Sequence, residues 1–263
     1  MSDTGIRYEK SGHIATLTLD RPERGNALSK AMVAPVRAVW RDVMSDAQIR
    51  VLVITGTGDR HFCTGLDVRE VAETGTTTAG DGPAREQIAW SALAHGVWKP
   101  VVCALNGLVA GGGLHFVADA DVIVAADHVE IMDTHTSVGM VGAVENVGLT
   151  HRLPLGSVLR MTLSGRSYRM SAQRAHQLGL VDELCDRGAL LDTAYKVADS
   201  IAQNSPRAVR LSKQAIWSSL GRDHEGAAEH AWALARLQRH HPDFIEGARA
   251  FAERRPPQWT DEP

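Results

Sequence analysis

The sequence lacks the features that mark membrane, secreted and nucleic-acid-binding proteins. No apolar run approaches the roughly 18 residues that a membrane-spanning helix requires. The amino-terminal segment MSDTGIRYEK has no basic stretch followed by an apolar one, which a secretory signal would show. Basic residues form no blocks, and 28 Lys and Arg against 31 Asp and Glu leave a formal net charge of −3. We therefore expect a cytoplasmic protein that binds neither membranes nor nucleic acid.

Cysteines and nucleotide-binding motifs are also scarce. Cys63, Cys103 and Cys185 lie far apart and are odd in number, which favours reduced thiols over a disulfide framework. The contiguous glycines at 111–113 match neither a GxGxxG fingerprint nor a phosphate-binding loop that ends in Gly-Lys-Ser/Thr. Nucleotide binding by either of these modes is therefore not expected.

The hydrophobic pattern is that of a folded α/β protein. Of the 263 residues, 44% are hydrophobic, which is enough for a sizeable core. Alternation of apolar and polar residues predicts a hairpin at the start, and β-branched runs predict buried strands further on, with helices between them. The predicted strands are 6–10, 14–19, 51–55, 101–105 and 121–126, and the predicted helices are 30–45, 85–97 and one that begins at 111–113. This order predicts an α/β fold of repeated β-β-α units.

The last third of the chain has helical periodicity and no strand signal. Helices are predicted at 188–203, 206–220, 224–239 and 243–253. We therefore divide the chain into an α/β core at 1–187 and a helical region at 188–263. The helical region carries more apolar residues than a free appendage would expose, so we expect it to pack on the core or on another subunit.

Two glycine-containing loops are suited to present backbone N–H groups to a ligand. In HFCTGLD, Gly65 permits a tight turn that directs the Leu66 amide into a cleft. In KPVVCALNGLVAGGGLHF, three glycines begin a helix whose amino terminus offers unpaired N–H groups and a positive dipole. Such donors suit an oxyanion that develops during a reaction.

These segments, in this order and spacing, resemble the enoyl-CoA hydratase/isomerase (crotonase) family over nearly the whole chain. The resemblance rests on RPERGNALS, VLVITGTGDRHFCTGLD, KPVVCALNG with the triple glycine, DVIVAADHVEI, LSGRSYRMSAQRAHQLGLVDEL and FAERRPPQW. It implies a spiral of β-β-α units and a helical carboxyl-terminal region used to form a homotrimer, or a hexamer built as a dimer of trimers. It also implies an acyl-CoA thioester as substrate, with no metal and no permanently bound cofactor.

The resemblance implies roles for individual residues. The amides of Leu66 and Gly112 would form the oxyanion hole, and Arg254 or Arg255 would reach nucleotide phosphates, from a neighbouring subunit if not from this one. The residues implied to lie along coenzyme A, which enters as part of the substrate, are Arg24, Asn26, Ala27, Leu28, Gly65 and Asp67.

The sequence departs from the family where hydratases carry two catalytic glutamates. His115 stands at the first position and His135 at the second, counted back from Gly139. The segment after Gly139 is about three residues longer than usual, so Asp133 and Glu145 are alternatives for the second role. An imidazole titrates nearer neutrality than a carboxyl but offers one donor and one acceptor instead of two acceptors.

Three functions are therefore considered from the sequence. The first is an enoyl-CoA hydratase or isomerase, a lyase-type enzyme of acyl-CoA degradation in which His115, His135 or Glu145 moves protons. The second is a hydrolase or C–C lyase of the same fold that uses its histidines to activate water. The third is an acyl-CoA-binding protein without catalysis. The sequence does not identify the acyl group.

Overall fold

The structure is a computed structural model that describes residues 4–261. Its strands are β1 (Ile6–Ser11), β2 (Ile14–Leu19), β3 (Val51–Gly56), β4 (His61–Cys63), β5 (Val101–Leu105), β6 (Leu108–Ala110), β7 (Val122–Ala126), β8 (Glu130–Met132), β9 (Met170–Ser171) and β10 (Glu183–Cys185). Its helices are α1 (Lys30–Ser45), α2 (Val68–Thr74), α3 (Ala84–Gln87), α4 (Leu114–Asp119), α5 (Val144–Leu149), α6 (Leu155–Ser164), α7 (Ala172–Gln177), α8 (Leu190–Ala202), α9 (Pro206–Ser219), α10 (His224–Arg239) and α11 (Pro242–Glu253).

The strands form two sheets, and the chain alternates between them. The larger sheet has the order β1-β2-β3-β5-β7-β10, and the smaller has the order β4-β6-β8-β9. Only the β1–β2 and β8–β9 pairs are antiparallel among the ladders of the described chain. Strands β3, β5 and β7 of the larger sheet are each followed by one strand of the smaller sheet and then by helix. The predicted α/β fold of β-β-α units with a helical carboxyl-terminal region is confirmed.

Both faces of the larger sheet are buried, as the β-branched runs predict. In β3, Leu52 and Ile54 pack into the cluster that contains α1, whereas Val51 and Val53 pack with alanines of α8 on the other face. Because successive side chains of a strand point to opposite faces, one strand joins both clusters. Helix α8 therefore packs directly on the sheet. The functional division at 187/188 stays a prediction.

Helix α9 is held against the sheet by buried polar contacts. Lys213 Nζ lies 2.7 Å from Asp121 Oδ2 and donates a 3.0 Å hydrogen bond to the Lys99 carbonyl. Trp217 Nε1 donates to the other oxygen of Asp121 at 2.7 Å. Two residues one turn apart on α9 thus bind one carboxylate beside β7.

The helix predicted at 85–97 is wrong, because α3 ends at Gln87. Beyond it the backbone bonds to more distant groups: the Asp119 carboxylate accepts hydrogen bonds from the Leu93 N–H and the Ser91 hydroxyl. Trp40 Nε1 donates to the Ala89 carbonyl at 2.7 Å. These tertiary hydrogen bonds replace helical ones. The segment after α3 therefore folds as a loop, although its apolar residues have helical spacing.

The other predicted elements are confirmed to within a few residues, including the hairpin, α1 and the four carboxyl-terminal helices. Cys63, Cys103 and Cys185 carry free thiols. Across residues 4–261, the structure has no helix whose length and hydropathy would suit a membrane crossing.

Candidate active site

The two glycine loops meet at one edge of the smaller sheet. Strands β4 and β6 are parallel neighbours, so the loops that follow them leave from the same edge. Gly65 has φ +87°, and a methyl group on it would lie 2.8 Å from the Gly112 nitrogen and 2.9 Å from the Ala110 carbonyl oxygen. A methyl group on Gly112 would lie 3.6 Å from the Leu66 nitrogen. The Leu66 and Gly112 amides are therefore adjacent, and only glycine at position 65 permits this approach.

The Gly112 amide also has a favourable position in its helix. Residues Gly111–Gly113 form a single 3-10 turn that runs directly into α4. The first N–H groups of such a turn have no carbonyl partner within the helix and carry its positive dipole end. They can therefore bind an anionic oxygen.

A cavity of about 360 Å³ opens over this pair of amides. The residues that line it and were predicted from the sequence are Arg24, Ala27, Leu66, Asp67, Gly112 and His135. The cavity is also lined by eight residues that were not predicted from the sequence: Glu23, Thr64, Val68, Arg69, Gly111, Thr134, Val138 and Met140. Most of these are neighbours of predicted residues, and the loop containing Val138 and Met140 carries no sequence signal for a pocket wall.

Three residues predicted along coenzyme A lie behind the cavity wall. Asn26 is fully buried, and its amide nitrogen donates to the carbonyls of Thr57 at 3.0 Å and His61 at 2.7 Å. Leu28 is buried, and its backbone pairs with the 65–67 segment through bonds of 2.8 and 2.9 Å. With Gly65, these residues shape the loop, and the structure does not bring their side chains to the cavity.

Asp67 is held as an anion at the start of α2. Its carboxylate accepts from the Glu70 N–H and forms a 3.0 Å ion pair with Arg21. Burial by itself would raise the pKa of Asp67, but the Glu70 hydrogen bond and the Arg21 guanidinium together lower it. A fixed negative charge therefore lies on the cavity wall.

The four candidate proton carriers form one cluster beside the Leu66 and Gly112 amides. His135 Nδ1 lies 2.7 Å from Asp133 Oδ1 and 3.2 Å from Glu145 Oε1. Glu145 Oε2 lies 3.5 Å from His115 Nε2. Helices α4 and α5 supply His115 and Glu145, and the segment after β8 supplies the other two residues.

Asp133 and His135 form the tightest pair in this cluster. Asp133 is fully buried and accepts bonds from the His135 backbone N–H at 2.9 Å and from its Nδ1 at 2.7 Å. The hydrogen bond that His135 donates to Asp133 raises the pKa of His135 despite its burial. Burial would raise the pKa of Asp133, but the His135 hydrogen bonds lower it. A proton on Nδ1 leaves Nε2 as the acceptor nitrogen.

His115 and Glu145 are shifted towards their neutral forms. Burial, with the charge of His135, lowers the pKa of His115 to about 4. Burial raises the pKa of Glu145. Glu145 Oε1 receives no hydrogen bond in the described structure, because the Nδ1 proton of His135 is directed to Asp133. Of these four side chains, His135 is the one that lines the cavity.

Arg255 is engaged within its own chain. Its guanidinium forms ion pairs of 2.7 Å with Glu246 and 2.6 Å with Glu253. Neither Arg255 nor Arg254 lines the cavity. Their contact with nucleotide phosphates stays a prediction.

Comparison with known proteins gives a consistent result. The enoyl-CoA hydratase/isomerase family model matches residues 9–262. (E)-Benzylidenesuccinyl-CoA hydratase from Thauera aromatica is 32% identical over 263 residues, covering 96% of this chain and 97% of its own. Carnitinyl-CoA dehydratase from Escherichia coli K12 is 32% identical over 263 residues, with 97% of each chain covered.

A solved structure of the same family also matches this chain. The crystal structure of an enoyl-CoA hydratase/isomerase from Mycobacterium paratuberculosis matches with a TM-score of 0.88 at 37% identity, covering 98% of this chain and 99% of that one. The match therefore extends over both the α/β part and the helical region. The chain belongs to the enoyl-CoA hydratase/isomerase family.

Proposed function

We propose that this protein is an acyl-CoA hydratase that adds water to a 2-enoyl-CoA, or removes it from the 3-hydroxyacyl-CoA, with His135 as the proton carrier. The observation that carries the proposal is that the Leu66 and Gly112 amides and the His135 imidazole border one cavity. The two relatives compared above are a hydratase and a dehydratase of CoA thioesters, which supports this reaction class.

The amides act on the thioester oxygen. When water adds to C3, the π electrons move through C2 to this oxygen and make an enolate. Two N–H donors aimed at the oxygen stabilise the enolate more than the neutral thioester, and one such donor contributes roughly 3–4 kcal/mol in other enzymes. They use no side chain, so histidines can replace the glutamates without loss of this part of the site.

His135 moves the proton. Its Nε2 takes a proton from water while the water oxygen bonds to C3, and the imidazolium then returns a proton to C2, giving the 3-hydroxyacyl-CoA. Asp133 fixes the Nδ1–H tautomer and stabilises the imidazolium. His115 and Glu145 stand behind the ring, and neither lines the cavity. Arg24, Ala27 and Asp67 lie along the wall where coenzyme A would pass.

Product analysis on a panel of short, long, branched and aromatic 2-enoyl-CoA thioesters tests the proposal. We expect loss of the conjugated absorbance, a gain of one water by mass and an intact thioester. Asp133→Asn, which keeps the side-chain volume, should lower kcat by about 10²–10⁴-fold, because it orients the wrong tautomer of His135. Tight binding of the thioesters without turnover would overturn the proposal.

A second candidate is hydrolysis of a thioester or of a C–C bond beside a carbonyl. A histidine oriented by a buried carboxylate is also the arrangement that activates a water nucleophile, and the Asp133–His135 pair has this geometry. Release of free thiol, or cleavage of the carbon chain, would distinguish this reaction from hydration in the same assay.

A further inference from the structure

Asn146 lies next to Glu145 on α5 and reaches the far side of Asp133. Its Nδ2 donates a 2.6 Å hydrogen bond to Asp133 Oδ2, the oxygen that His135 does not use. Asn146 is buried, and its Oδ1 has no hydrogen-bond partner among the described residues. A flipped amide would place Oδ1 against a carboxylate oxygen, so the observed orientation is the one that electrostatics allows.

The backbone closes over this hydrogen bond. A methyl group on Gly142 would overlap Asp133 Oδ2 and lie 2.6 Å from Asn146 Nδ2. With Asn146 in place, the backbone of Gly142 leaves no room for a further donor on that side of Asp133. The short helix α5 thus brings two side chains to the dyad, with Glu145 beside the ring of His135 and Asn146 behind Asp133.

We propose that Asn146 is a positioning residue: it anchors Asp133 Oδ2 so that Oδ1 stays directed at Nδ1 of His135, and it shares the negative charge of Asp133. Its effect on turnover rests on the proposed function, whereas its effect on His135 does not. An anion with one donor fewer is a stronger acceptor for the remaining donor. Loss of Asn146 should therefore raise the pKa of His135 further.

Other charges around His135 act in the same site. Asp133 and Glu145 face the ring within 3.2 Å, and His115 stands behind Glu145 on α4. The charged residues that border the same cavity are Glu23, Arg24, Asp67 and Arg69. Substitution of Asn146 leaves all of these in place, so a change in the titration of His135 reports on Asp133.

The experiment follows the His135 imidazole by NMR in ¹⁵N-histidine-labelled, ligand-free protein over a pH series. His135→Gln identifies its signals. We expect the His135 titration to move to higher pH in Asn146→Ala and in Asn146→Leu, which keeps a branched side chain of similar shape but has no donor. With the preferred thioester, the acidic limb of kcat should move the same way, and kcat near neutral pH should fall about tenfold.

Asn204→Ala is the matched control. Asn204 is an exposed asparagine whose Nδ2 also donates two hydrogen bonds, to carbonyls at the end of α8, far along the chain from the site. It should change neither the titration nor kcat. If Asn146→Ala and Asn146→Leu are folded and leave the His135 titration unchanged, Asn146 has only a structural role and the proposal is overturned. A shifted titration in a protein that turns over no thioester would support the positioning role and reject the proposed hydratase.

Discussion

Residue 65 has no room for a side chain where the two glycine loops meet. Its backbone has a left-handed φ, and the space where a side chain would begin is already filled by the 110–112 loop. The two donor amides flank this contact. The proposed oxyanion hole thus requires that residue 65 have no side chain.

Gly65→Ala should therefore disable catalysis with little effect on the rest of the fold. The added methyl group would separate the two loops and misdirect the Leu66 and Gly112 amides. Loss of one such donor costs about 10²–10³ in kcat elsewhere, so we expect at least a 100-fold fall in kcat/KM. Steady-state kinetics on the preferred thioester measures it.

Gly58→Ala is the control for backbone strain. Gly58 also has φ +87°, but a methyl group there would meet nothing nearer than 4.0 Å. Gly58→Ala should lose only the stability that the left-handed φ costs, Gly65→Ala should lose somewhat more because its loops must also move, and only Gly65→Ala should lose activity. Equal activity of the two variants would show that the amides are not the donors.

At the scale of elements, α9 depends on a buried charge pair. Lys213 and Asp121 have mostly buried side chains, and Asp121 also accepts from Trp217 of the same helix. Removing one member of such a pair is costly because it leaves the other charge unpaired in a poorly solvated place.

Lys213→Met should lower the free energy of unfolding by about 3 kcal/mol, because Asp121 loses its counter-ion while the packing of α9 is kept. Adding Asp121→Asn should restore part of this loss. Chemical denaturation measures both variants. The matched control is Arg169→Met, which removes the exposed pair with Glu130 at the same 2.7 Å distance and should have a much smaller effect. Equal losses at the two sites would contradict a buried ion-pair contribution.

At the scale of the whole molecule, one chain leaves large apolar side chains uncovered in the helical region. Phe251 is 87% exposed, and Trp232, Leu237, Phe244 and Ile245 are about half exposed. These exposed side chains do not stabilise a single folded chain, since apolar surface is stabilising only when it is buried. Together with the family resemblance, it predicts that other copies of the chain cover this region.

The wild-type protein should sediment as a trimer or a hexamer of the 28.4 kDa chain. Phe251→Asp should shift it towards smaller species, because a charge would be buried at the interface, whereas Phe251→Leu should not. Circular dichroism checks that both variants keep their helices. If the wild-type protein is a monomer, or if Phe251→Asp leaves the mass of the assembly unchanged, Phe251 is not part of a subunit interface.

Local pattern was enough to predict most of the elements. Strand β3 is a continuous apolar run and helix α8 has apolar residues at helical spacing, so a short stretch of sequence indicates each of them. The segment 85–97 has the same kind of period but is not a helix, because Trp40 and Asp119 bond its backbone groups. Those partners lie 49 and 26 residues away in the chain, beyond the reach of any local pattern.

In the site, the sequence by itself determined the glycine loops, since a tight turn and a close backbone approach require glycine at fixed positions. It also predicted that His115 and His135 replace the two glutamates of the family's hydratases, with Asp133 and Glu145 as alternatives for the second. Tertiary structure alone decided that Asp133, His135, Glu145 and His115 form one cluster, that His135 faces the cavity, and that Asn146 anchors Asp133. The physical reason is that hydrogen bonds and pKa shifts depend on distances and burial between segments, and these arise only when the chain is folded.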